Sequence, residues 1–175
     1  MVPLGPLNGK SFGTTISPWI ITLDALNPFK CPLSPRNPDI TLPAYLQDQD
    51  QKPTFDLKLS VSLRSANALG SSLICESSFS SIYWTMRDLV AQQTINGCSL
   101  STGDLLATGT ISGATKQSHG CLLELIAKGG VEIKNARGKS EQRIFLEDGD
   151  TVSISAIAGP GVGFGECVGT ILPAK

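Results

Sequence analysis

The sequence has 175 residues, 14 Lys+Arg against 15 Asp+Glu, and only 17% charged residues. A balance this even creates no field that would gather a polyanion, which argues against nucleic acid as the main ligand. Apolar residues at 41%, with 18 Gly and 11 Pro, describe a turn-rich chain long enough to bury a sizeable core. No apolar stretch approaches the ~18 residues of a bilayer span, and the start, Met1-Val-Pro-Leu-Gly5, lacks the basic region and apolar run of a secretory leader. The five cysteines are odd in number, widely spaced and never C-x-x-C, so reduced thiols and a cytoplasmic location are expected rather than a disulfide framework or a zinc site.

In chain order, Gly5-Pro-Leu-Asn-Gly9-Lys10-Ser11 imitates a phosphate loop, but three residues separate its glycines where four are needed. Phe12 to Pro18 is also a poor helix start, so backbone amides would not converge on a phosphate. Six prolines between Pro28 and Pro53 exclude a helix or a central strand, and we read 28–53 as a long arm ordered against another surface, a subunit contact being one way. Phe55, Leu57, Leu59, Val61 and Leu63 alternate with polar residues, which predicts a half-buried strand, with Leu73-Ile-Cys75 returning as its hairpin partner. A principal helix is expected over about 80–95, capped by Ser80 or Ser81, with Ile82, Met86, Leu89 and Val90 on one face and Asn96-Gly97 at its stop. Tyr83 and Trp84 are read as core packing.

Strands are expected again at Leu105–Ile111, Cys121–Ala127, Arg143–Leu146, Thr151–Ala158 and Gly165–Leu172. Glu147-Asp-Gly-Asp150 and Gly159-Pro-Gly161 are read as turns, not as a cation site or a dinucleotide fingerprint. His119, the sole histidine, is expected to be a solvated loop residue. Glu124 would share a strand face with Leu122 and Ile126, and a carboxylate among apolar neighbours must find a partner or a proton. That leaves it open between an acid/base or orienting role and a solvent-lapped strand face. Lys10, flanked by Gly9, Ser11 and Gly13, is open to close approach by a ligand.

Several blocks occur together in order: Gly9-Lys-Ser-Phe-Gly-Thr-Thr-Ile-Ser-Pro-Trp19, Thr22-Leu-Asp-Ala-Leu26, Tyr83-Trp-Thr-Met86, Asn96-Gly-Cys98, Gly103-Asp-Leu-Leu-Ala-Thr-Gly-Thr-Ile-Ser-Gly113, Leu123-Glu-Leu125 and Gly163-Phe-Gly165. With these, Val2 to Ala174 resembles the fumarylacetoacetase family. The Pro-rich insertion after Phe29 resembles fumarylacetoacetases rather than the shorter decarboxylases, hydratases and acylpyruvate hydrolases of the superfamily. The resemblance implies a mainly β fold, a mixed β-sandwich or roll with one principal helix, with residues 1–175 forming the C-terminal portion of the catalytic domain. It implies hydrolysis of a carbon–carbon bond of a diketo acid to fumarate and acetoacetate, in tyrosine and phenylalanine breakdown. A Ca2+ or Mg2+ ion polarises the diketone, a His activates water, and a homodimer carries the sites.

As the resemblance implies, Lys10 matches the active-site lysine and, with Thr14, a second, magnesium-type position. Thr110 matches a substrate-contacting threonine, and Glu124 the glutamate paired with the catalytic His. The family's catalytic His and the acidic ligands of the main metal lie upstream of the block that begins at Val2, and Met1 stands where a substrate-contacting tyrosine is found. The expectation is therefore a chain that binds no cation and does not hydrolyse the diketo acid alone. The alternative is a non-catalytic dimerisation or regulatory partner, or a truncated product, of the same family.

Overall fold

The computed structural model describes residues 11–66 and 68–174. Lys10 lies outside the described residues. Eight short strands and two α-helices make up the regular structure: α1 (Leu23–Leu26), β1 (Lys30–Cys31), β2 (Thr54–Phe55), β3 (Lys58–Arg64), β4 (Ser72–Ser78), α2 (Met86–Thr94), β5 (Val131–Lys134), β6 (Ser140–Arg143), β7 (Thr151–Ile157) and β8 (Gly163–Thr170). The main sheet is antiparallel in the order β4-β3-β7-β8, and β1-β2 and β5-β6 form two small ladders. The mainly β expectation is met.

The alternating run is β3, and it is central because its odd-numbered positions carry the apolar side chains. Leu63 is fully buried, and Leu59, Val61 and Leu63 pair with Ala156, Ile154 and Val152 of β7. A core sits at each end of β3. Leu26, Phe55, Leu57, Phe79 and Ala158 form one, with Met86 and Ile111 packed against it; Leu63, Leu125, Val131 and Ile133 form the other. Burying such side chains contributes roughly 1.5–3 kcal/mol each, so these clusters set the positions of the loops that leave them.

The helix differs from the expectation in its start. Ser80 and Ser81 belong to a 3-10 turn, Phe79–Ser81, and Ile82 is extended; α2 begins at Met86, where Thr85 and Asp88 form a reciprocal capping box. Asp88 N–H donates to Thr85 Oγ1 at 3.1 Å, and Thr85 N–H donates to Asp88 Oδ2 at 2.8 Å, satisfying two otherwise orphaned donors. Gly97, with φ of 86°, follows the helix, as the Asn-Gly signal predicts.

Two expected strands are not strands. Leu105–Ile111 has no ladder partner and is irregular, with residues 101–110 exposed. Cys121–Ala127 is replaced by a 3-10 helix, Leu122–Lys128. Its period of three puts Leu122 and Leu125 on one side, where both join the second core, and Gly129 closes it in the left-handed region at φ 81°. The strand expected at Arg143–Leu146 lies earlier, at Ser140–Arg143, opposite β5, which the sequence reading missed.

The Pro-rich arm is ordered by its own chain. Arg87 on α2 pairs with Asp48 and Asp50, each at 3.0 Å, Tyr45 Oη donates to Gln92 Oε1 at 3.0 Å, and Arg36 pairs with Asp88. Gly149, at φ 85°, completes the expected turn before β7.

Candidate functional site

The two cores project two loops toward each other. Ile111 packs into the first core, which fixes its neighbour Thr110; Leu125, 2% exposed, sits in the second, which fixes its neighbour Glu124. Both meet at one cleft of about 330 Å³, also lined by Tyr83, Trp84 and Ser112. That is within the usual size of small-molecule sites.

Glu124 is held by polar groups, not by the apolar strand face expected of it. Ser112 Oγ donates to Glu124 Oε2 at 2.8 Å, and Cys121 N–H donates to the same oxygen at 3.1 Å. Ser112 is itself positioned by Gly120 N–H, which donates to its Oγ at 3.0 Å. Gly120 permits that approach because a Cβ there would lie 2.6 Å from the Ile111 carbonyl oxygen. Among the described residues, the carboxylate therefore has one oxygen fixed and one without a hydrogen bond. Its side chain is 37% exposed, so it remains accessible from the cleft.

His119 is not a solvated loop residue. Its side chain is 17% exposed, and Nδ1 lies 3.9 Å from Glu124 Oε1. Nδ1 is buried without a hydrogen-bond partner. Sequence reasoning missed this neighbour because the contact depends on the turn at Thr115–Gly120, where Gly113 N–H donates to Ser118 O at 2.9 Å.

Tyr83 and Trp84 are a wall of the cleft instead of core. They are 40% and 41% exposed, with ring centroids 4.8 Å apart and nearly perpendicular planes. Arg36 from the arm lies over both rings, 5.3 Å and 5.1 Å from their centroids, and its Nη2 donates to the Tyr83 carbonyl at 3.2 Å. The same guanidinium pairs with buried Asp88, so the arm, the cap of α2 and the aromatic wall form one connected unit. Nothing in the sequence pattern links Arg36 to residues about fifty positions away.

Thr14 does not line this cleft. It is exposed, on a segment tied to β8 through Ser17 Oγ, which donates to Phe164 O at 3.1 Å. Among the described residues no group of three or more His, Cys, Asp and Glu could hold a metal ion. A Ca2+ or Mg2+ site needs about six oxygen ligands, so the described donor set does not fit one. Glu147 and Asp150 of the turn hold Arg143 at 2.7 Å and 2.9 Å.

A larger cavity of about 680 Å³ shares Leu89 and Thr108 with the cleft and is lined mainly by apolar residues such as Leu23, Phe55, Met86 and Leu106. Its two cations are spoken for, Lys30 by Asp50 at 3.4 Å and Arg87 by Asp48 and Asp50. Among the described residues it presents no unpaired charged group to a reacting molecule. No helix among the described residues is long and apolar enough to cross a membrane.

Fold and cleft together define a mainly antiparallel β domain whose cleft holds a fixed carboxylate, a hydroxyl and an aromatic wall. The family pattern described as "Fumarylacetoacetate (FAA) hydrolase C-terminal" matches residues 1–172. The chain is 47% identical over 176 residues to a fumarylacetoacetase of Arabidopsis thaliana, 45% to that of Homo sapiens and 44% to that of Dictyostelium discoideum. Each alignment covers 99% of this chain and 40%, 41% and 40% of those relatives respectively. The chain belongs to the fumarylacetoacetate hydrolase family, matches its C-terminal region, and spans about two fifths of the length of the curated relatives.

Proposed function

We propose that this chain supplies the C-terminal half of a hydrolytic site that cleaves a carbon–carbon bond of a fumarylacetoacetate-like diketo acid. The observation that carries it is the convergence of Thr110 and Glu124, two residues 14 positions apart, on one cleft. In this reading Glu124 is the orienting carboxylate. Ser112 and the Cys121 amide fix one oxygen, leaving the other to align a base or a water. Thr110, whose neighbour Ile111 is anchored in the first core, offers a hydroxyl to a substrate oxygen. Tyr83 and Trp84 present π-faces that suit a flat conjugated diketone and help exclude water. Lys10 is the cationic group toward which negative charge on the departing fragment is drawn. Lys10 with Thr14 is also proposed as a second, magnesium-type position.

The main cation and its acidic ligands are assigned to polypeptide beyond the residues described here, so the chain alone is expected to be inactive. The test is loss of diketone absorbance with the purified chain, with and without Ca2+ or Mg2+, alone and joined to the upstream portion of the Arabidopsis relative. We expect no turnover alone and chelator-sensitive turnover in the joined protein. An inactive joined protein that is folded and metal-loaded would overturn the site assignment; turnover by the chain alone would overturn the division of labour.

Exposed apolar side chains favour a second reading. Ile20 at 89%, Leu105 at 71% and Leu172 at 74% exposed suit a chain that assembles with a longer family member, without chemistry of its own, or with a second copy as a homodimer. Light scattering of the chain with and without a full-length relative separates these: an unchanged monomer mass in both removes the reading.

A further inference from the structure

We propose that His119 is a positioning residue of the cleft, whose neutral ring carries its proton on Nδ1 and points it at the second oxygen of Glu124. The proposal rests on the reading of Glu124 given above, but its geometry stands independently. Nε2 of His119 lies 3.5 Å from Lys128 Nζ. An ammonium has only donors, so an imidazole nitrogen facing it must offer a lone pair, and the single proton of the neutral ring is left on Nδ1. Nδ1 is buried, has no hydrogen-bond partner among the described residues, and has Glu124 Oε1 at 3.9 Å. Buried donors without partners are costly, and the nearest acceptor of the half-exposed Glu124 is the oxygen that Ser112 and the Cys121 amide leave unused. Oε1 then accepts from His119 on one lone pair and keeps the other for the base or water it aligns. Lys128, Glu124 and His119 come from one 3-10 helix and the loop before it, and the thiols of Cys121 at the helix cap and Cys75 on β4 are the other titratable groups beside Glu124.

The arrangement has a spectroscopic signature that mere packing of a ring would not produce. Since His119 is the sole histidine, ring 15N signals of the 175-residue chain need no assignment. At a pH where the ring is neutral, we expect the Nδ1–H tautomer to predominate, and Lys128→Met to raise the Nε2–H share several-fold. The carboxyl 13C resonance of Glu124 should move in His119→Phe and return toward its original position in His119→Asn, whose amide N–H restores a donor near Nδ1. A predominant Nε2–H form in the unmodified chain overturns the proposal, as does a Glu124 resonance that is the same in the parent and in His119→Phe. If His119→Phe fails to fold, the tautomer in the parent and in Lys128→Met decides alone. None of these readouts involves turnover. The expected signature with an inactive joined protein would remove the proposed function and leave the positioning role; the reverse would remove only the latter.

Discussion

Two carboxylates in this molecule sit beside turns and meet opposite fates. Asp150 is fully buried. It accepts from Arg143 Nη2 at 3.1 Å and from Glu147 N–H at 2.9 Å, and Arg143 Nε approaches its second oxygen at 2.9 Å. Both oxygens are used, and no surface is left to meet a ligand. Glu124 has Oε2 held by two donors and Oε1 without a hydrogen bond, opening onto a cleft. A saturated, buried carboxylate stabilises a turn, whereas a half-held, accessible one keeps bonding capacity for a substrate or a base. Side-chain type and local acidity do not distinguish them; the inventory of donors around each oxygen does.

The largest expected effect breaks the saturated side of that contrast. Arg143→Met leaves Asp150 charged and buried without its main partner, and should cost about 3–5 kcal/mol of stability in urea unfolding. The cleft should not be the cause of any lost activity. The variant of Glu124 should behave in the opposite way. Glu124→Gln keeps an acceptor for Ser112 and the Cys121 amide, so we expect less than about 1 kcal/mol of lost stability. In the joined catalytic protein it should lower kcat by about 10²–10⁴-fold. A stability loss as large as that of Arg143→Met, with kcat unchanged, would make Glu124 a second Asp150.

The arm provides an intermediate case, since Arg36 both stabilises Asp88 and covers the aromatic wall. Arg36→Ala removes the partner of a nearly buried carboxylate and the cation over two rings, and should cost about 2–3 kcal/mol. Tryptophan emission should shift as Trp84 loses its cover. An unchanged emission with the same stability loss would mean that the arm supports α2 without shaping the cleft.

Much of the scaffold was legible because period-two alternation has one physical meaning: β3 appeared where Leu59, Val61 and Leu63 alternate with polar residues. Short apolar runs carry no such distinction. Cys121–Ala127 reads equally well as a buried strand or a tight helix, and the deciding signals were the Cys121/Glu124 spacing and Gly129, whose positive φ terminates the turn. Leu105–Ile111 has strand composition, but a strand also requires a partner, which local sequence does not reveal. At the cleft, Thr110 was reachable through family resemblance alone, whereas Glu124 stood out first as a carboxylate among apolar neighbours, with its role left open until the resemblance. His119 and Arg36 were not, because their contacts arise only when loop and arm close on distant segments.

The smallest expected effect concerns pH and the same arm. The Asp50 amide hydrogen bond, followed by Arg87, holds the Asp48 carboxyl below its ordinary range; for Asp50 the Lys52 amide, then Lys30 and Arg87, do the same. Asp48 in turn raises the Arg87 guanidinium. A carboxyl whose pKa is lower folded than unfolded contributes stability that is complete above the unfolded value, near ~4, and is lost as pH falls through the folded one. The arm should therefore loosen from α2 in acid below about pH 4, while neutral and alkaline solutions leave it unchanged. These groups are well exposed to solvent screening, so the loss should appear as faster cleavage within 36–52 by an acid-active protease and not as global unfolding. Arg87→Met should raise cleavage at pH 5 toward the level seen at pH 3. Equal cleavage of the parent at both values would show that Arg36, Tyr45 and the prolines hold the arm without the Asp48 and Asp50 pairs, and would separate its anchoring at the cleft from its charge pairing along the helix.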